Sequence, residues 1–368
     1  MSGPSVRARR DTDNRATERT VTFVVPDGID DPLRVSGGNV YDRRVGEGLR
    51  AAGWDVSTVE VRDAASAARA LRQPPPGATV LIDGLVAGWA PAAVEDAAER
   101  VRVVVLAHMV AAAFPDVTAG EVASERAVLA AAHRVVVTSA WTARELGRRG
   151  LVDASRVSIA SPGAAAPSPV PEVPSPVAGG AGGMRQDRDG RHLLCVGVVA
   201  PHKGQDVLLA ALAQLPEQDW TCAIVGSPDA APRFAAAVRR DATRFHGRVR
   251  LTGVLGRAAL AAEYGRGGLL VAPSRVESAG MAIAEARARG IPVVAADVGG
   301  IPDTVAGGGA ILVRPDDAGV LAAALHAWMS EPSLRQRLRR EARAARQSLP
   351  SWNDTAAAIA RVLEEART

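Results

Sequence analysis

The feature that most constrains the fold of this chain is a repeated alternation between short apolar runs and longer alanine-rich stretches. The alanine-rich stretches carry arginine and glutamate on their polar side. Short buried strands that alternate with amphipathic helices are typical of a parallel sheet with crossover helices. The runs of the first half are 20–25, 55–61, 78–82, 102–107, 134–138 and 156–160.

A second series of the same kind follows a segment rich in proline, then glycine, then charge. This segment, 164–190, has the composition of a linker. A chain of 368 residues is long enough for two domains. We therefore predict an α/β protein with two doubly wound, Rossmann-like domains that face each other across a cleft. The runs of the second series are 192–198, 221–226, 249–252, 269–273, 292–296 and 310–313.

The end of the chain predicts two helices, over about 333–347 and 352–366. Ser351 and Asp354 have the spacing of a capping box at the start of the second helix. The predicted order is a disordered tail, an N-terminal domain, the linker, a C-terminal domain and a terminal helix that could pack back on the N-terminal domain. Their ranges are 1–19, 20–163, 164–190, 191–349 and 350–368.

Composition and charge narrow the class of protein. The net charge of +4 comes from scattered arginines, so no nucleic-acid partner is expected. The apolar runs are too short for a transmembrane segment, and no secretory signal precedes Val21. These features favour a cytoplasmic protein, with peripheral attachment to the inner membrane face left open. Cys195 and Cys222 lie in apolar runs and are expected to be buried, reduced thiols.

Lys203 is the only lysine among 44 basic residues. It lies just after a predicted strand that ends at Gly197 and Val198, and before a predicted helix. Ligands of doubly wound sheets bind beyond the carboxyl ends of the strands. A compact ammonium group at that position favours an anion-binding role, with a surface lysine as the alternative.

The segment after the run 269–273 contains two glutamates around the start of a predicted helix. Helical periodicity begins near Gly280 and ends at Arg289, so Glu277 lies in the preceding loop and Glu285 on the helix. Free amides at a helix start bind a diphosphate well. We expect these amides on Ser278, Ala279, Gly280 and Met281. Glu277 would accept hydrogen bonds from sugar hydroxyls and Glu285 from ribose hydroxyls. Alternatively, Glu277 is an ordinary acid at a helix start and Glu285 a solvated side chain.

The same segment resembles the family 4 glycosyltransferases of the GT-B fold. Their E-x7-E signature reads here as Glu277-SAGMAIA-Glu285, followed by ARGIPVVA and GGIPDTV. The resemblance runs more loosely from VTFVVPDGI and SGGNVYDRR to SWNDTAAAIARVL. It implies a nucleotide-sugar donor bound mostly by the C-terminal domain, an acceptor bound mostly by the N-terminal domain, and transfer with retention of anomeric configuration.

The resemblance also implies roles for particular residues. Lys203 would bind the donor diphosphate. Relatives often place an arginine where this chain has Val198. His202 or Arg275 could supply the missing contact, and a lower donor affinity is the alternative. The implied catalytic residues are His108, Lys203 and Glu277. The implied donor-binding residues are Gly37, Gly38, Gly197, His202, Lys203, Arg275, Glu277, Ser278, Ala279, Gly280, Met281 and Glu285.

In the first domain, His108 ends a predicted strand, where the resemblance implies contact with the donor sugar; a structural histidine is the alternative. The paired glycines of SGGN follow the first strand and fit close passage of the backbone beside a ligand. The resemblance implies that this loop approaches the diphosphate and the acceptor, with a tight turn without ligand as the alternative. Other residues at strand ends are expected to line the acceptor side, with structural roles as the alternative. They are Asn39, Asp83, Ser139 and Trp141.

No metal or other cofactor is predicted. The two D-x-D sequences, Asp11-Thr12-Asp13 and Asp187-Arg188-Asp189, lie in the tail and the linker and do not follow strands. The predicted protein is a glycosyltransferase that uses a nucleoside diphosphate sugar and the hydroxyl of a small molecule or lipid. The alternatives are an epimerase or phosphorylase of the same fold, or a catalytically silent nucleotide-sugar-binding partner. The sequence does not specify an oligomeric state.

Overall fold

Two six-stranded parallel sheets form the framework of the described part of the chain. The computed structural model describes residues 19–32, 34–164, 190–216 and 219–367. Each predicted apolar run contains one strand. The first sheet contains β1 (Thr20–Pro26), β2 (Asp55–Val61), β3 (Thr79–Asp83), β4 (Arg102–Ala107), β5 (Arg134–Val137) and β6 (Val157–Ile159). The second contains β7 (His192–Val196), β8 (Thr221–Val225), β9 (Val249–Gly253), β10 (Leu269–Ala272), β11 (Val293–Ala296) and β12 (Ala310–Val313).

The order of the strands gives each sheet a topological switch point, where the chain reverses the direction in which it adds strands. The first sheet has the order β2-β1-β3-β4-β5-β6 and the second β12-β11-β10-β7-β8-β9. The chain therefore leaves β1 and β7 towards one edge and later returns to their other side, at β3 and β10. Loops diverge at such a point and leave a crevice at the carboxyl ends of the strands.

Helices connect the strands and cover both faces of each sheet. The first half contains α1 (Gly37–Ala51), α2 (Ala64–Arg72), α3 (Gly84–Trp89), α4 (Pro91–Ala98), α5 (Ala119–Ala131) and α6 (Ala140–Arg148). The second half contains α7 (Gln205–Leu212), α8 (Pro232–Ala242), α9 (Arg257–Arg266), α10 (Met281–Ala288), α11 (Ile301–Thr304), α12 (Ala318–Ser330) and α13 (Pro332–Ala345), and the chain ends with α14 (Trp352–Glu365).

The terminal helix α14 packs on the first half of the chain, against α1. Its residues Ile359, Val362 and Leu363 are buried in the same cluster as Phe23 and Val25 of β1. The predicted capping box is present: the Asp354 amide donates to Ser351 Oγ at 3.2 Å, and the Ser351 amide donates to Asp354 Oδ2 at 2.8 Å. Burial of an aliphatic face about 14 residues long explains why this helix joins a distant sheet.

Aliphatic side chains fill the core of the second sheet, together with the two cysteines. Cys195 and Cys222 are buried and free. Burial raises the pKa of Cys195 to about 12, although nearby Lys203 opposes the shift. A thiol with that pKa stays protonated at neutral pH and is a poor nucleophile.

Two predicted segments lie almost entirely outside the described residues: the tail 1–19, of which only Arg19 is described, and the linker 164–190, of which the two end residues are described. Within the described ranges, no helix has the length and apolar character that crossing a membrane requires.

Candidate functional site

The crevice of the second sheet brings Lys203 and Glu277 together. Lys203 follows β7 and Glu277 follows β10, which is the neighbouring strand. Lys203 Nζ lies 2.5 Å from Glu277 Oε2, and the two side chains are 21% and 13% exposed. These residues are 74 positions apart in sequence, so the strand order places them in contact.

The backbone around Lys203 is shaped by glycines. Lys203 ends a short 3-10 turn, Pro201–Lys203, and Gly204 then adopts a left-handed conformation with φ of 69°. A Cβ on Gly204 would lie 2.0 Å from the Pro273 carbonyl oxygen, so only glycine fits between these loops. The aliphatic part of Lys203 lies over Gly197, where a Cβ would be 3.5 Å from Lys203 Cε. Gly197 and Lys203 therefore lie side by side.

Glu277 is held from two sides. Gly300 N–H donates to the Glu277 carbonyl oxygen at 2.9 Å. Gly299 has φ of 59°, and a Cβ there would be 1.8 Å from the same oxygen. Burial alone would raise the pKa of the Glu277 carboxyl, but the charge and hydrogen bond of Lys203 hold it below its usual value. Glu277 is therefore ionised at neutral pH.

The carboxylate of Glu277 is bound to two of the groups that were expected to bind the diphosphate. Its Oε2 binds Lys203, and its Oε1 accepts a hydrogen bond from the Gly280 amide at 3.2 Å. Both donors were predicted from sequence as diphosphate ligands. An internal carboxylate thus compensates the positive charge at the start of α10.

The loop before α10 also contacts the first half of the chain. Ser278 Oγ lies 3.0 Å from Met109 Sδ. A Cβ on Gly37 would be 3.4 Å from Met281 Sδ. The carbonyl of Ala279 accepts a hydrogen bond from the Thr304 hydroxyl at 2.8 Å. The predicted donor loop therefore lies between the two halves, beside the start of α1.

Glu285 lies on α10, one helical turn beyond the loop, and is half-buried. Burial raises its pKa, while Arg289, Tyr264 and Arg44 lower it. Arg289 lies over the Tyr264 ring at 4.5 Å from the centroid. Tyr264 is a buried neighbour that the sequence did not single out. Glu285 is therefore half-buried, whereas the alternative interpretation placed it in open solvent.

The structure corrects the expectation for Arg275. Its Nη1 and Nη2 bind the Asp206 carboxylate at 2.9 and 2.8 Å, and its Nε binds Asp316 at 2.5 Å. Nη1 also donates to the Pro201 carbonyl. All three guanidinium nitrogens are therefore committed to holding the surrounding loops together.

His202 is the other residue that could replace the arginine that relatives have at the position of Val198. Burial and, to a smaller extent, the charge of Lys203 lower the pKa of His202 to about 4, against a smaller opposing effect of Glu277. The imidazole is therefore neutral at pH 7 and adds no positive charge in place of an arginine. It contacts the first half of the chain through an edge-on contact with Phe114, at 5.6 Å between ring centroids.

His108 follows β4 at the carboxyl edge of the first sheet and lies between two carboxylates. Its Nε2 is 2.8 Å from Asp42 Oδ1 and 3.2 Å from Asp83 Oδ2. His108 also lies near the glycine loop, because a Cβ on Gly38 would be 3.6 Å from the imidazole. The sequence analysis missed Asp42. The available signal was its position on α1, four residues after Gly38 and three before Val45, on the buried side of that helix.

Three residues predicted for the acceptor side have other hydrogen-bond partners. Both carboxylate oxygens of Asp83 are engaged, one by the Leu85 and Val86 amides and the other by His108. Ser139 caps α6 by accepting from the Thr142 amide at 3.1 Å. The side-chain Nδ2 of Asn39 donates to the Arg34 carbonyl at 2.8 Å. These contacts correct the expected acceptor roles of Asp83 and Ser139, which are buried structural groups.

Trp141 remains a candidate for the acceptor side. It lies in the first turn of α6 and is partly exposed. The same turn begins beside the second half of the chain, because a Cβ on Gly300 would be 3.2 Å from Ser139 Oγ. Trp141 therefore lies near the contact between the two halves.

Among the described residues, one group has the composition and spacing of a metal site. It consists of Asp42, Asp83 and His108, whose possible ligand atoms lie within 4.8 Å of one another. The imidazole nitrogen that would face a metal ion is already hydrogen-bonded to both carboxylates. We therefore describe the group as an ion-paired histidine.

Comparison with known proteins identifies the second half of the chain. Residues 185–345 match the family model described as "Glycosyl transferases group 1". This range contains the loops that carry Lys203 and Glu277.

Curated relatives extend the comparison beyond this range. The D-inositol 3-phosphate glycosyltransferase of Xylanimonas cellulosilytica is 32% identical over 67% of this chain and 60% of its own length. The protein of the same name from Streptomyces griseus is 31% identical over 66% of this chain and 56% of its own length. The chain thus spans less than two thirds of the length of these relatives.

Solved structures match nearly the whole chain. Sucrose-phosphate synthase from Thermosynechococcus elongatus has a TM-score of 0.77 and 21% identity, and the match covers 94% of this chain and 98% of that chain. Anabaena HepE in complex with UDP-glucose has a TM-score of 0.72 and 17% identity, over 94% and 99% of the two chains. These matches confirm the predicted two-domain α/β fold. The chain thus has the GT-B fold, and its residues 185–345 are similar to the family described as "Glycosyl transferases group 1".

Proposed function

We propose that this protein is a glycosyltransferase that takes a sugar from a nucleoside diphosphate sugar and transfers it to an acceptor hydroxyl. The observation that carries the proposal is the pairing of Lys203 with Glu277 at the crevice of the second sheet, beside the start of α10. A cation, a helix start and a carboxylate are the groups needed to bind a diphosphate and the hydroxyls of its sugar.

In the proposed donor complex, the diphosphate replaces the Glu277 carboxylate at Lys203 and at the amides of residues 278–281. Glu277 then turns to accept hydrogen bonds from the sugar, while Glu285 accepts from the ribose. HepE, a structural neighbour, was solved in complex with UDP-glucose, which supports this class of donor. Lys203 and the α10 dipole stabilise the charge that develops on the leaving phosphate.

We propose that transfer requires no metal ion, because Lys203 and the helix start supply positive charge to the diphosphate. We also propose retention of configuration, as the resemblance to family 4 glycosyltransferases implies. In this front-face route, the leaving phosphate oxygen accepts the acceptor's proton, so no protein base is required. The two halves of the chain orient the substrates and exclude water.

A small hydroxylated molecule is the proposed acceptor, bound on the side of the first sheet. Curated relatives named D-inositol 3-phosphate glycosyltransferase support this choice. Trp141 and the start of α1 are the residues available to line this side of the cleft. The predicted cytoplasmic location and the absence of a nucleic-acid partner stay predictions.

A donor panel tests the proposal without knowledge of the acceptor. UDP-, GDP- and ADP-sugars are compared by thermal shift and by slow donor hydrolysis, with and without EDTA. We expect one nucleotide class to raise the melting temperature and to be hydrolysed equally in both conditions. Lys203→Ala should remain folded and lose turnover about 100-fold or more, as loss of an oxyanion-stabilising group does.

Other outcomes favour the alternatives. No stabilisation by any nucleotide sugar would contradict the proposal. Conversion of the donor into another nucleotide sugar would favour an epimerase, dependence on inorganic phosphate would favour a phosphorylase, and tight binding without turnover would favour a silent binding partner. Loss of turnover in EDTA would overturn metal independence.

A further inference from the structure

The imidazole of His108 is held by two buried carboxylates from different parts of the fold. Asp42 lies on α1 and is 1% exposed, and Asp83 lies at the end of β3 and is 3% exposed. Both contact the same ring nitrogen, Nε2, at 2.8 and 3.2 Å. Three separate elements thus converge on one imidazole at the carboxyl edge of the first sheet.

The surroundings leave this arrangement little freedom. Asp83 caps α3 through the Leu85 and Val86 amides, at 2.6 and 3.1 Å, which fixes its carboxylate. The Tyr41 ring meets the imidazole edge-on at 5.1 Å, and its hydroxyl donates to the Ala160 carbonyl at 2.6 Å. The ring of His108 is therefore fixed in both position and orientation.

The geometry also decides which ring nitrogen is available to a substrate. Because Nε2 faces two carboxylate oxygens, it carries a proton and donates it. Nδ1 makes no hydrogen bond to another residue of the described ranges. The His108 side chain is 17% exposed, and the next residue, Met109, contacts Ser278 of the donor loop. Nδ1 is thus the nitrogen that can meet a ligand in the cleft.

We propose that Asp42 is a positioning residue that acts with Asp83 to keep His108 as an imidazolium, so that Nδ1–H is a fixed, charged hydrogen-bond donor towards the bound nucleotide sugar. This inference rests on the proposed function for the identity of the ligand. It gives His108 a role opposite to that of a general base, because an imidazolium has no lone pair with which to accept a proton.

The charges around the ring support this state. Burial alone would lower the pKa of His108, but the charges and hydrogen bonds of Asp42 and Asp83 raise it to about 10. Burial raises the pKa of Asp42, and the charge and hydrogen bond of His108 lower it, so the imidazolium favours the ionised carboxylate beside it. Asp42, Asp83 and Tyr41 are the titratable groups of the described structure that contact the ring, and burial keeps the Tyr41 hydroxyl protonated.

The inference explains why a carboxylate occupies the buried side of α1. A buried ion pair by itself adds little stability compared with apolar packing. A second carboxylate instead keeps the imidazole charged where the leaving phosphate develops negative charge. It also excludes the inverting route in which His108 would deprotonate the acceptor.

Nitrogen NMR of histidine-labelled protein tests the charge state directly. The chain has six histidines, and the His108 signal is assigned by its loss in His108→Gln. We expect wild-type His108 to keep the imidazolium shift from pH 6 to 9. In Asp42→Asn its pKa should fall by at least about one unit, which is a tenfold change in proton affinity. Asp96→Asn, an exposed change on α4, is the matched control and should leave the signal unchanged.

Enzyme kinetics give a readout that a purely structural role would not affect. For Asp42→Asn, we expect kcat to decline at lower pH than in wild type and to recover when the pH is lowered to 6, with less change in donor KM. A neutral His108 at pH 7.5 in the wild type would overturn the proposal, as would an unchanged His108 pKa in a folded Asp42→Asn. If Asp42→Asn does not fold, the wild-type titration alone decides.

The two proposals fail separately. The NMR titration needs no substrate, so absence of turnover with every donor would contradict the proposed function and leave the His108 charge state as measured. Turnover by a wild-type enzyme with neutral His108 would contradict the inference alone.

Discussion

At the residue scale, Lys203 and Glu277 neutralise each other's charge within the candidate site. Lys203 binds one oxygen of the carboxylate and the Gly280 amide binds the other. A diphosphate that enters the site must therefore displace a side chain that is already ionised. The proposed exchange would give Glu277 two states, the one bound to Lys203 that the structure shows and one free to contact the sugar.

Glu277→Gln should separate these two roles. Without the carboxylate, Lys203 is free, so we expect the nucleoside diphosphate alone to bind at least as tightly as to wild type. Donor turnover should fall about 10- to 100-fold, since a hydrogen bond to a charged group is worth about 1.5–3 kcal/mol. Calorimetry and hydrolysis rates measure the two effects, with the exposed change Glu95→Gln on α4 as control. Equal losses of nucleoside diphosphate affinity and of donor turnover in Glu277→Gln would contradict the proposed exchange of partners at Lys203.

The proposed charge on His108 should also affect how the free energy of unfolding of the protein depends on pH. Its pKa is raised in the folded state from 6.5 to about 10, so its contribution is complete below pH 6.5 and is lost as pH rises towards 10. We expect the free energy of unfolding of the wild type to fall with pH over this window, by up to about 1.4 kcal/mol per pH unit. Urea unfolding at pH 7, 8 and 9 should show that the free energy of unfolding depends less on pH in His108→Gln than in the wild type. The same pH dependence in both proteins would contradict a charged His108.

Sequence reasoning found the site residues that follow strands and missed those on helix faces. Lys203, Glu277 and His108 were identifiable because they lie at the ends of apolar runs. Asp42 looks like an ordinary polar residue of an amphipathic helix, and its burial depends on how α1 packs. Arg275 was misjudged for a related reason: its partner Asp206 is 69 positions away, so the ion pair exists only in the folded chain.

At the scale of elements, a loop held by glycine determines where Glu277 lies. Gly299→Ala would place a Cβ 1.8 Å from the Glu277 carbonyl oxygen, with φ of 59°. We expect donor turnover to fall about 10-fold or more and stability to fall by about 1 kcal/mol or more. Gly265→Ala on α9 is the matched control, because nothing lies within 4 Å of its added Cβ, and it should be neutral or slightly stabilising. Normal turnover in Gly299→Ala would contradict this account of the loop.

The existence and type of the elements followed from periodicity, and their arrangement did not. All twelve apolar runs became strands, and α10 begins one residue after the predicted start and has Arg289 as its C-cap. The order of strands within each sheet is not encoded in any local pattern. That order brings β7 beside β10, and therefore Lys203 beside Glu277.

At the scale of the whole molecule, the last helix joins the half of the chain that lies farthest from it in sequence. Leu363 of α14 is fully buried against the first sheet, and Leu325 of α12 is fully buried against the second. Leu363→Ala should cost about 2–5 kcal/mol and increase hydrogen exchange in β1 and α1. Leu325→Ala should have its effect on β7 and α7 instead. An increase in the second sheet for Leu363→Ala would contradict this division.

The two halves also meet around the candidate site. Met109 contacts Ser278, Phe114 contacts His202, and Arg144 pairs with Asp303 at 3.0 Å. The donor groups of the second half therefore lie beside His108 and the start of α1. This arrangement lets one bound nucleotide sugar contact both halves at once.

The most direct test of the account is a crystal structure of the protein with the nucleotide sugar identified by the donor panel. We predict diphosphate oxygens within hydrogen-bond distance of Lys203 Nζ and of amides at the start of α10, with Glu277 moved from Lys203 to the sugar hydroxyls. A nucleotide bound elsewhere, with the pair of Lys203 and Glu277 intact, would contradict the proposed donor site.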